Sequence, residues 1–414
     1  MNRLIIYLLA CCAALPLQAA TAPERYRVDW HFTLEAGQDL AQVTLEIADG
    51  RPVHEIRFRF DPQRFSDFSA TGELSVENGQ LTWEPPREGA KLSYFAKITH
   101  ARDNQNQAQS YDALMTDDWA LFRGDRLTPR LRVTTRKDAV ATTRLHVRAP
   151  ADWSVNTGWP LYEAGEDGVA TFGIIDPERD FDRPSGWIMA GKLGTRRAYV
   201  GKDEDTYFSI SAPLNSSADR MSWLTLVSLV YPEIVTAFGS VPEKILLVSG
   251  DDPLWRGGLS GPNSFYFHAG RRAVSENGTS PLFHELVHVI TRISGENNDD
   301  WITEGIAEYY GIELLYRAGG ITQDRKTEIL AGLAAWGREA PALRTRQSSG
   351  AVTARATALF AELDEEIARL SENTSNLDAV TRLLIAERRV SLDDLRAAFE
   401  QVTGAASLTL QGLE

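Results

Sequence analysis

The stretch PLFHELVHVITRISGENNDDWITEGIAEYYGIELLYR, residues 281 to 317, decides how the rest of the chain is understood. Within it, His284, Glu285 and His288 form the pattern H-E-x-x-H. On a helix, residues i and i+4 lie one turn apart on one face, so the two imidazoles can bind a single metal ion. Glu285 follows the first imidazole directly, which lets its carboxylate lean over a water at that metal. The pattern therefore predicts a zinc site with Glu285 as its catalytic carboxylate.

A catalytic zinc site takes three protein ligands and leaves one position open. The candidate third ligand is Glu304, in the segment W-I-T-E-G-I-A-E-Y-Y. A loop rich in glycine and asparagine precedes it, and Asp299 or Asp300 could cap a second helix after that loop. Two helices joined in this way can bring Glu304 towards the imidazoles. Glu308, one turn beyond, is well placed to hold a ligand imidazole by a hydrogen bond.

Residues 1–20, MNRLIIYLLACCAALPLQAA, have the pattern of a secretory signal peptide. Arg3 supplies the positive charge, residues 4–17 the apolar run, and small residues around Ala19 the cleavage site. An alternative is a lipoprotein signal using Cys11 or Cys12, although the apolar run before Cys11 is very short. We expect an exported protein, periplasmic or secreted, with no later stretch long and apolar enough to span a bilayer.

The composition limits the chemistry further. The chain has two cysteines, both in the predicted leader, so a mature zinc site must use histidine and carboxylate. Its formal net charge is −14, which is typical neither of nucleic-acid binding nor of attraction to anionic membranes. The expected partner is a peptide or protein substrate, and the composition does not indicate an oligomeric state.

Residues 21–213 have the period-two alternation of β-strands, as in Tyr26 to Leu34, Val43 to Ile47 and Ile56 to Phe60. Turns containing glycine, aspartate and proline separate these runs, which predicts an all-β, sandwich-like N-terminal domain. Four histidines of this region have no ligand spacing and are interpreted as ordinary surface or half-buried residues: His31, His54, His100 and His146.

Beyond residue 213 the pattern becomes mixed. Residues 221–238 predict a helix that is interrupted or kinked near Pro232. After a short apolar strand, the Gly257-Gly258 turn feeds an aromatic strand containing Tyr266 and His268. Such a segment suits an edge strand that pairs with an extended peptide, and equally a plain turn and core strand. We predict a catalytic domain over residues 214–320 and a helical region over 321–414.

These residues resemble the gluzincin metallopeptidases, most closely the glycyl aminopeptidase family, with the aminopeptidase N-like family as a relative. The resemblance rests on HELVH, on the E-G-x-x-x-Y-Y segment from Glu304 to Tyr310, and on the Gly-Gly-Leu turn at residues 257–259. It implies a thermolysin-like catalytic domain after the β domain, giving an α+β multidomain protein. It also implies one Zn²⁺ per chain bound by His284, His288 and Glu304, with Glu285 catalytic and Glu308 orienting a ligand histidine.

The chain departs from the family pattern in three ways. The loop between His288 and Glu304 is shorter than in the aminopeptidase N-like family. Ser260 and Gly261 stand where those relatives place Glu-Asn, whose glutamate anchors the free amine of the substrate. Relatives also supply an oxyanion donor from the C-terminal helices, where this chain offers only Arg355. The other candidate donors are Tyr266, His268, Tyr309 and Tyr310.

Two functions follow from these residues. The first is an exported zinc metallopeptidase, either an aminopeptidase or an endopeptidase, in which Glu285 is the general base and acid. The alternative is a peptidase-like binding protein, weak or inactive in catalysis, that keeps zinc for structure. The missing C-terminal tyrosine favours the alternative, and the presence of Glu285 beside the metal favours the enzyme.

Overall fold

The structure is a computed structural model that describes residues 24–102, 109–164, 168–176, 181–201 and 206–413. The predicted signal peptide lies outside these residues. The described chain up to residue 191 consists of strands and one four-residue helix, α1. The elements are β1 (Glu24–Thr33), β2 (Leu40–Ile47), β3 (Val53–Arg59), β4 (Phe65–Ala70), β5 (Glu73–Glu77), β6 (Gln80–Glu84), β7 (Ala90–Lys97), β8 (His100–Arg102), β9 (Ser110–Met115), β10 (Trp119–Arg123), α1 (Gly124–Leu127), β11 (Leu131–Thr135), β12 (Ala139–Arg148), β13 (Ser154–Thr157), β14 (Leu161–Ala164), β15 (Val169–Ile174) and β16 (Trp187–Gly191).

These strands form three sheets around a common hydrophobic core. The largest has seven strands in the order β14-β15-β12-β1-β2-β7-β4, and the others are β13-β16-β10-β9-β8 and β11-β3-β6-β5. Alternate residues of β12 are buried, which is the period-two pattern expected of a strand with one face on a core. Trp30 and Trp83 are almost completely buried there. The described residues thus form an all-β N-terminal part.

The second part of the chain mixes strands and helices. Its elements are β17 (Leu193–Val200), β18 (Thr206–Pro213), α2 (Arg220–Phe238), β19 (Lys244–Val248), β20 (Gly258–Gly261), β21 (Ser264–Phe267), α3 (Pro281–Thr291), β22 (Ser294–Gly295), α4 (Asp300–Arg317), α5 (Gln323–Gly337), α6 (Ala351–Leu370), α7 (Leu377–Glu387), β23 (Arg389–Val390) and α8 (Leu392–Thr403). Together, the two parts make an α+β multidomain fold.

The sheet of the second part includes two strands that come before the boundary predicted at residue 213. Strands β17 and β18 belong to the sheet β17-β18-β19-β21-β20, where β18 pairs in parallel with β19. An alternating pattern indicates a strand without showing which sheet the strand joins. The α/β part therefore begins at Leu193.

The boundary predicted at residue 320 does not separate two cores. Helix α6 packs on α4 and α5, and α7 packs on α2. One hydrophobic cluster extends from Val200 in β17 to Leu410 beyond α8. The C-terminal helices therefore complete the core of the α/β part.

Helix α2 differs from its prediction in two respects. It is not interrupted at Pro232, since a single helix runs from Arg220 to Phe238. By length and composition it is also the one helix in the described chain that could cross a membrane. Its buried face, which includes Trp223, Val227 and Ile234, packs in the α/β core, and this burial accounts for its apolar composition.

Contacts from the β part hold the segment that leads into β20. Tyr111 of β9 accepts a backbone hydrogen bond from Trp255 (2.8 Å) and donates one to Pro253 (3.1 Å). The indole of Trp187, in β16, donates to the carbonyl of Leu259 in β20 (2.8 Å). Strand β20 is an edge strand that pairs with β21. The β part therefore positions the edge strand that lies beside the candidate site.

Candidate metal centre

Helix α3 presents the two histidines of the H-E-x-x-H pattern on one face. Ser280 caps its N-terminus by accepting from the Phe283 N–H (3.2 Å), and Pro281 occupies the first helical turn. The helix ends at Arg292 in the left-handed conformation. Apolar residues bury one side, while His284 and His288 lie half-buried on the other.

Two glycines of helix α4 face its neighbours, and one of them makes a contact that only glycine permits. A methyl group at Gly311 would lie 3.4 Å from the Ser280 carbonyl oxygen and 3.6 Å from the backbone nitrogen of His284, which are ordinary van der Waals distances. At Gly305 it would lie 2.7 Å from the Phe360 ring on α6, too close to be tolerated without a shift. Gly305 therefore lets α4 pack closely on α6, while α4 lies at ordinary van der Waals distance from α3 beside the imidazoles.

The ligating atoms of His284, His288 and Glu304 converge on a common point. The two Nε2 atoms are 3.1 Å apart. Glu304 Oε2 lies 3.3 Å from His284 Nε2, and Oε1 lies 3.3 Å from His288 Nε2. Within the described residues, this is the group of histidine, cysteine or acidic side chains whose geometry could hold a metal ion.

The donor set fits zinc. Tetrahedral zinc with bonds of about 2.0–2.2 Å requires ligand atoms roughly 3.3–3.5 Å apart, close to the observed separations. Glu308 Oε2 lies 2.8 Å from Nδ1 of His284. When the Nδ1–H group donates a hydrogen bond to Glu308, the lone pair of Nε2 is left free to bind the metal. His284, His288 and Glu304 would therefore hold the zinc, with Glu308 orienting one ring.

The electrostatics of the cluster show strong coupling between rings and carboxylates. Burial disfavours a charged His284, but hydrogen bonds to Glu304 and Glu308 outweigh it and raise the pKa of that ring well above its usual value. Burial also opposes ionisation of Glu304, yet its bonds to the two rings hold its pKa far below the usual range. The cluster therefore attracts positive charge, as a divalent cation site requires.

Glu285 is a half-buried carboxylate beside this cluster, where partial loss of solvent raises its pKa. It faces Gly258 in β20, because a methyl group there would lie 2.7 Å from both Cγ and Oε1 of Glu285. The predicted Gly-Gly turn therefore contacts the predicted catalytic residue. At Gly257, a methyl group would lie 2.2 Å from the Trp255 ring, so this glycine lets the indole fold back over the chain.

Tyr266 and His268 flank the edge strand without entering the ligand cluster. The Tyr266 hydroxyl donates to the Trp255 carbonyl (2.8 Å). Nδ1 of His268 accepts from the Gly270 N–H (3.0 Å), which stiffens the turn after β21. Both side chains are buried. Both side chains therefore make contacts that support the edge strand, and their suggested oxyanion role stays a prediction.

The remaining suggested oxyanion donors also point elsewhere. The hydroxyl of Tyr309 donates to Asp364 (2.6 Å), and that of Tyr310 to Asp378 (2.9 Å), so both tie α4 to the C-terminal helices. Arg355 is exposed on α6, where its backbone lies against Gly337 of α5. None of these three groups joins the cluster in the described structure.

Three residues that support the site were missed as such by the sequence analysis. Asp299, suggested as a helix cap, instead accepts from Arg344 (2.8 Å) and from the Leu392 N–H (3.0 Å), which fixes the loop before α4. Trp187 and Trp255 hold the edge strand. The buried environment of Asp299 has no local sequence signal, whereas the Trp-Arg-Gly-Gly order could have suggested a ring packed on glycine.

The fold is that of the zinc metallopeptidases of the M1 and aminopeptidase N type. An aminopeptidase N family protein from Idiomarina loihiensis superposes with a TM-score of 0.64 over 87% of this chain and 70% of that chain, at 14% identity. A two-domain M1 zinc metallopeptidase variant bound to L-arginine has a TM-score of 0.61 and 17% identity over 94% of this chain and 93% of that chain.

An M1 zinc metallopeptidase variant from Deinococcus radiodurans, bound to a Tyr-Ser-Ala substrate, has a TM-score of 0.59 and 16% identity over 94% of this chain and 93% of that chain. No family model and no curated protein matches the sequence. These similarities confirm, at the level of the fold, the predicted relation to aminopeptidase N-like gluzincins. The closer resemblance to glycyl aminopeptidases stays a prediction.

Proposed function

We propose that this chain is a zinc-dependent metallopeptidase that hydrolyses peptide bonds. The observation that carries the proposal is the convergence of two Nε2 atoms and the Glu304 carboxylate, within 3.1–3.3 Å of one another, beside the half-buried carboxylate of Glu285. Solved M1 metallopeptidases with the same fold support it. A ligand cluster alone would suit a structural metal, but such a site has no use for a raised-pKa carboxylate next to it.

Zinc bound here would polarise the peptide carbonyl and lower the pKa of a water to about 7. Glu285 accepts the proton of the attacking water, because its burial favours the protonated carboxyl that results. It then donates this proton to the nitrogen of the leaving amine. Glu308 keeps the His284 ring in one tautomer throughout.

The edge of β20 is the proposed docking strand for the substrate. An extended peptide can add to an exposed edge through main-chain hydrogen bonds. The His268 N–H donates to the Gly257 carbonyl (3.1 Å), and backbone groups alternate in direction along a strand, so Leu259 faces β21 while the N–H and C=O groups of Gly258 and Ser260 face the open edge. Gly258 also contacts Glu285, so a peptide that pairs with the Gly258 backbone can place its scissile bond next to the carboxylate.

The proposed enzyme has few candidate oxyanion donors. The three tyrosine hydroxyls at positions 266, 309 and 310 donate to other groups. Loss of one oxyanion donor typically lowers the rate by ~10²–10³-fold. We therefore expect slow turnover compared with a peptidase that has such a donor.

We further propose that the mature protein is exported after removal of the leader. Residues 1–20 carry the charge, apolar run and small residues of a signal peptide. Expression of the full-length chain in a bacterium, followed by mass determination of the periplasmic product, would test this. A product that retains residue 1 in the cytoplasm would contradict it.

The experiment for the peptidase compares the wild-type protein with Glu285→Gln on a mixed peptide library, with products identified by mass spectrometry. We expect cleavage by the wild type, loss with a chelator and recovery with zinc. Glu285→Gln should bind the same zinc but be slower by ~10²–10⁴-fold, the usual contribution of a general base. The position of the cut distinguishes an aminopeptidase from an endopeptidase.

Two outcomes would overturn the proposal. A zinc-loaded wild type that cleaves no peptide would favour a binding protein with a structural zinc. A Glu285→Gln protein as active as the wild type would remove Glu285 from its proposed role.

A further inference from the structure

Arg271 is a cation beside the candidate site that has no acidic partner in the described structure. It is half-buried in the turn between β21 and α3. Its neighbours are engaged: Arg256 pairs with Asp252, Arg272 with Glu276 (2.8 Å) and Arg325 with Glu328 (2.6 Å). No carboxylate of the described chain lies within ion-pair distance of Arg271. In a protein of net charge −14, a half-buried cation without an acidic partner is unexpected.

The turn that carries Arg271 is held in place by backbone contacts. The Arg271 N–H donates to the His268 carbonyl (3.0 Å), and the Ala269 N–H to the Gly250 carbonyl (2.9 Å). The imidazole of His268 accepts from the Gly270 N–H (3.0 Å). This turn is therefore a fixed support for the side chain.

The position of Arg271 places its charge near the catalytic carboxylate and the edge strand. Its guanidinium carbon lies 5.9 Å from the centre of the Phe267 ring, and Phe267 pairs with Gly258 in the sheet. Gly258 in turn contacts Glu285.

We propose that Arg271 binds a carboxylate group of the peptide substrate next to the scissile bond. A guanidinium offers paired N–H donors that match the two oxygens of a carboxylate. The other candidate substrate anchor is position 260 in β20. It is a serine and has no charge to attract an amine. The site therefore selects peptides by a negative group. This inference rests on the proposed peptidase function.

The carboxylate has two sources, the C-terminal α-carboxylate of a short peptide and an acidic side chain. The first test measures kcat/KM for peptide pairs that differ only in a C-terminal carboxylate or amide, and in an Asp or Asn near the cut. The wild type should prefer the charged member of one pair by ~10–100-fold, the value of a charged hydrogen-bond pair. The pair that shows the preference identifies the source.

The second test compares Arg271→Gln with Arg272→Gln, its exposed neighbour. Arg271→Gln should lose the preference, mainly through a higher KM for the charged peptide, and Arg271→Lys should restore part of it. Arg272→Gln should keep both the preference and the rate. An equal ratio of charged to uncharged substrate in the wild type and Arg271→Gln would overturn the inference.

A binding measurement separates this inference from the proposed peptidase function. In the non-hydrolysing Glu285→Gln background, calorimetry should show tighter binding of the charged peptide, lost on adding Arg271→Gln. If the wild type cleaves nothing but this difference is seen, the peptidase function fails and the carboxylate site stands. If cleavage is seen but the two peptides bind equally, the carboxylate site fails alone.

Discussion

Two groups of histidines and acids in this molecule have similar composition and very different geometry. In the β part, His31 and His146 stack face to face with ring centres 4.6 Å apart and planes at 13°. Each ring faces its own acid, His146 to Asp29 (3.0 Å) and His31 to Glu46 (3.6 Å). We call these four residues the stacked cluster.

In the metal centre, His284 and His288 meet edge to face at 81°, with ring centres 4.7 Å apart. This arrangement directs both Nε2 atoms to one point, and the carboxylate of Glu304 lies next to the same point. Stacked rings direct their nitrogens sideways to separate partners. The comparison teaches that a metal site depends on the convergence of lone pairs, which the i, i+4 spacing of one helix supplies and two adjacent strands do not.

The largest expected effect is the loss of metal. His284→Ala should lose bound zinc and peptidase activity, because His288 and Glu304 alone leave too few ligands. His146→Ala should keep the zinc, since the stacked cluster lacks a common point for a metal. Metal content after dialysis, measured by mass spectrometry, checks both variants. Zinc loss in His146→Ala would break the comparison.

A second effect concerns the strand against Glu285. Gly258→Ala adds a methyl group 2.7 Å from that carboxylate and should displace it. We expect the rate to fall by ~10²-fold or more, within the range of a general base, with zinc retained. Gly173→Ala, on β15 of the β part, meets no atom within 4 Å and should leave the rate unchanged. Steady-state kinetics of the two variants measures this difference. Equal rates for Gly258→Ala and Gly173→Ala would contradict the prediction.

A third effect distinguishes the acids that support each cluster. Glu308→Gln should weaken zinc binding by ~10–100-fold, the usual cost of losing an outer partner of a ligand histidine. Glu46→Gln, which alters the acid next to His31, should not change it. Competition with a fluorescent zinc chelator gives both affinities. Unchanged affinity in Glu308→Gln would show that the His284 contact does not support the metal.

The smallest effect is a pH dependence of stability from the stacked cluster. Burial, followed by the adjacent His146, lowers the pKa of His31 below 6.5. A histidine whose pKa is lower in the folded protein stabilises it above the unfolded pKa, and this stability is lost as the pH falls through the folded pKa. We expect a loss of less than about 1 kcal/mol below pH 6.5, because His31 is partly solvated.

The variant His31→Phe keeps a ring for stacking but cannot take up a proton. Its melting temperature should fall less steeply than that of the wild type as the pH is lowered from 6.5. Thermal unfolding of the zinc-loaded proteins at several pH values measures the difference. Parallel curves for the two proteins would show that His31 does not contribute.

The features that sequence could predict are local ones. The i, i+4 spacing of His284 and His288 follows from helix geometry alone, and the alternation in β12 follows from the pleat of a strand. Glu304 needed one further assumption, that the loop lets α4 return to α3. The packing of α4 on α6 depends on Gly305, whose small size was visible in the sequence although its packing partner Phe360 was not.

The features that sequence could not predict depend on contacts between distant residues. Nothing in the sequence around Tyr309 indicates that Asp364 accepts a hydrogen bond from its hydroxyl group. Asp378, which accepts from the Tyr310 hydroxyl, lies 68 positions away in the chain. The alternation of residues 206–213 indicates a strand, but it does not indicate that β19 is the parallel partner of that strand. Asp299 had the pattern of a cap, yet Arg344 and Leu392 compete for its carboxylate.

The bonds from Tyr111 and Trp187 to the segment beside β20 make the two halves of the chain interdependent. A fragment beginning at Leu193 would contain every proposed zinc ligand and Glu285, but its docking strand would have lost both anchors. Such a fragment should still take up metal while failing to process peptides. Adding residues 21–192 as a separate polypeptide should then restore turnover by fragment complementation, because the β part can bind the fragment without a covalent link.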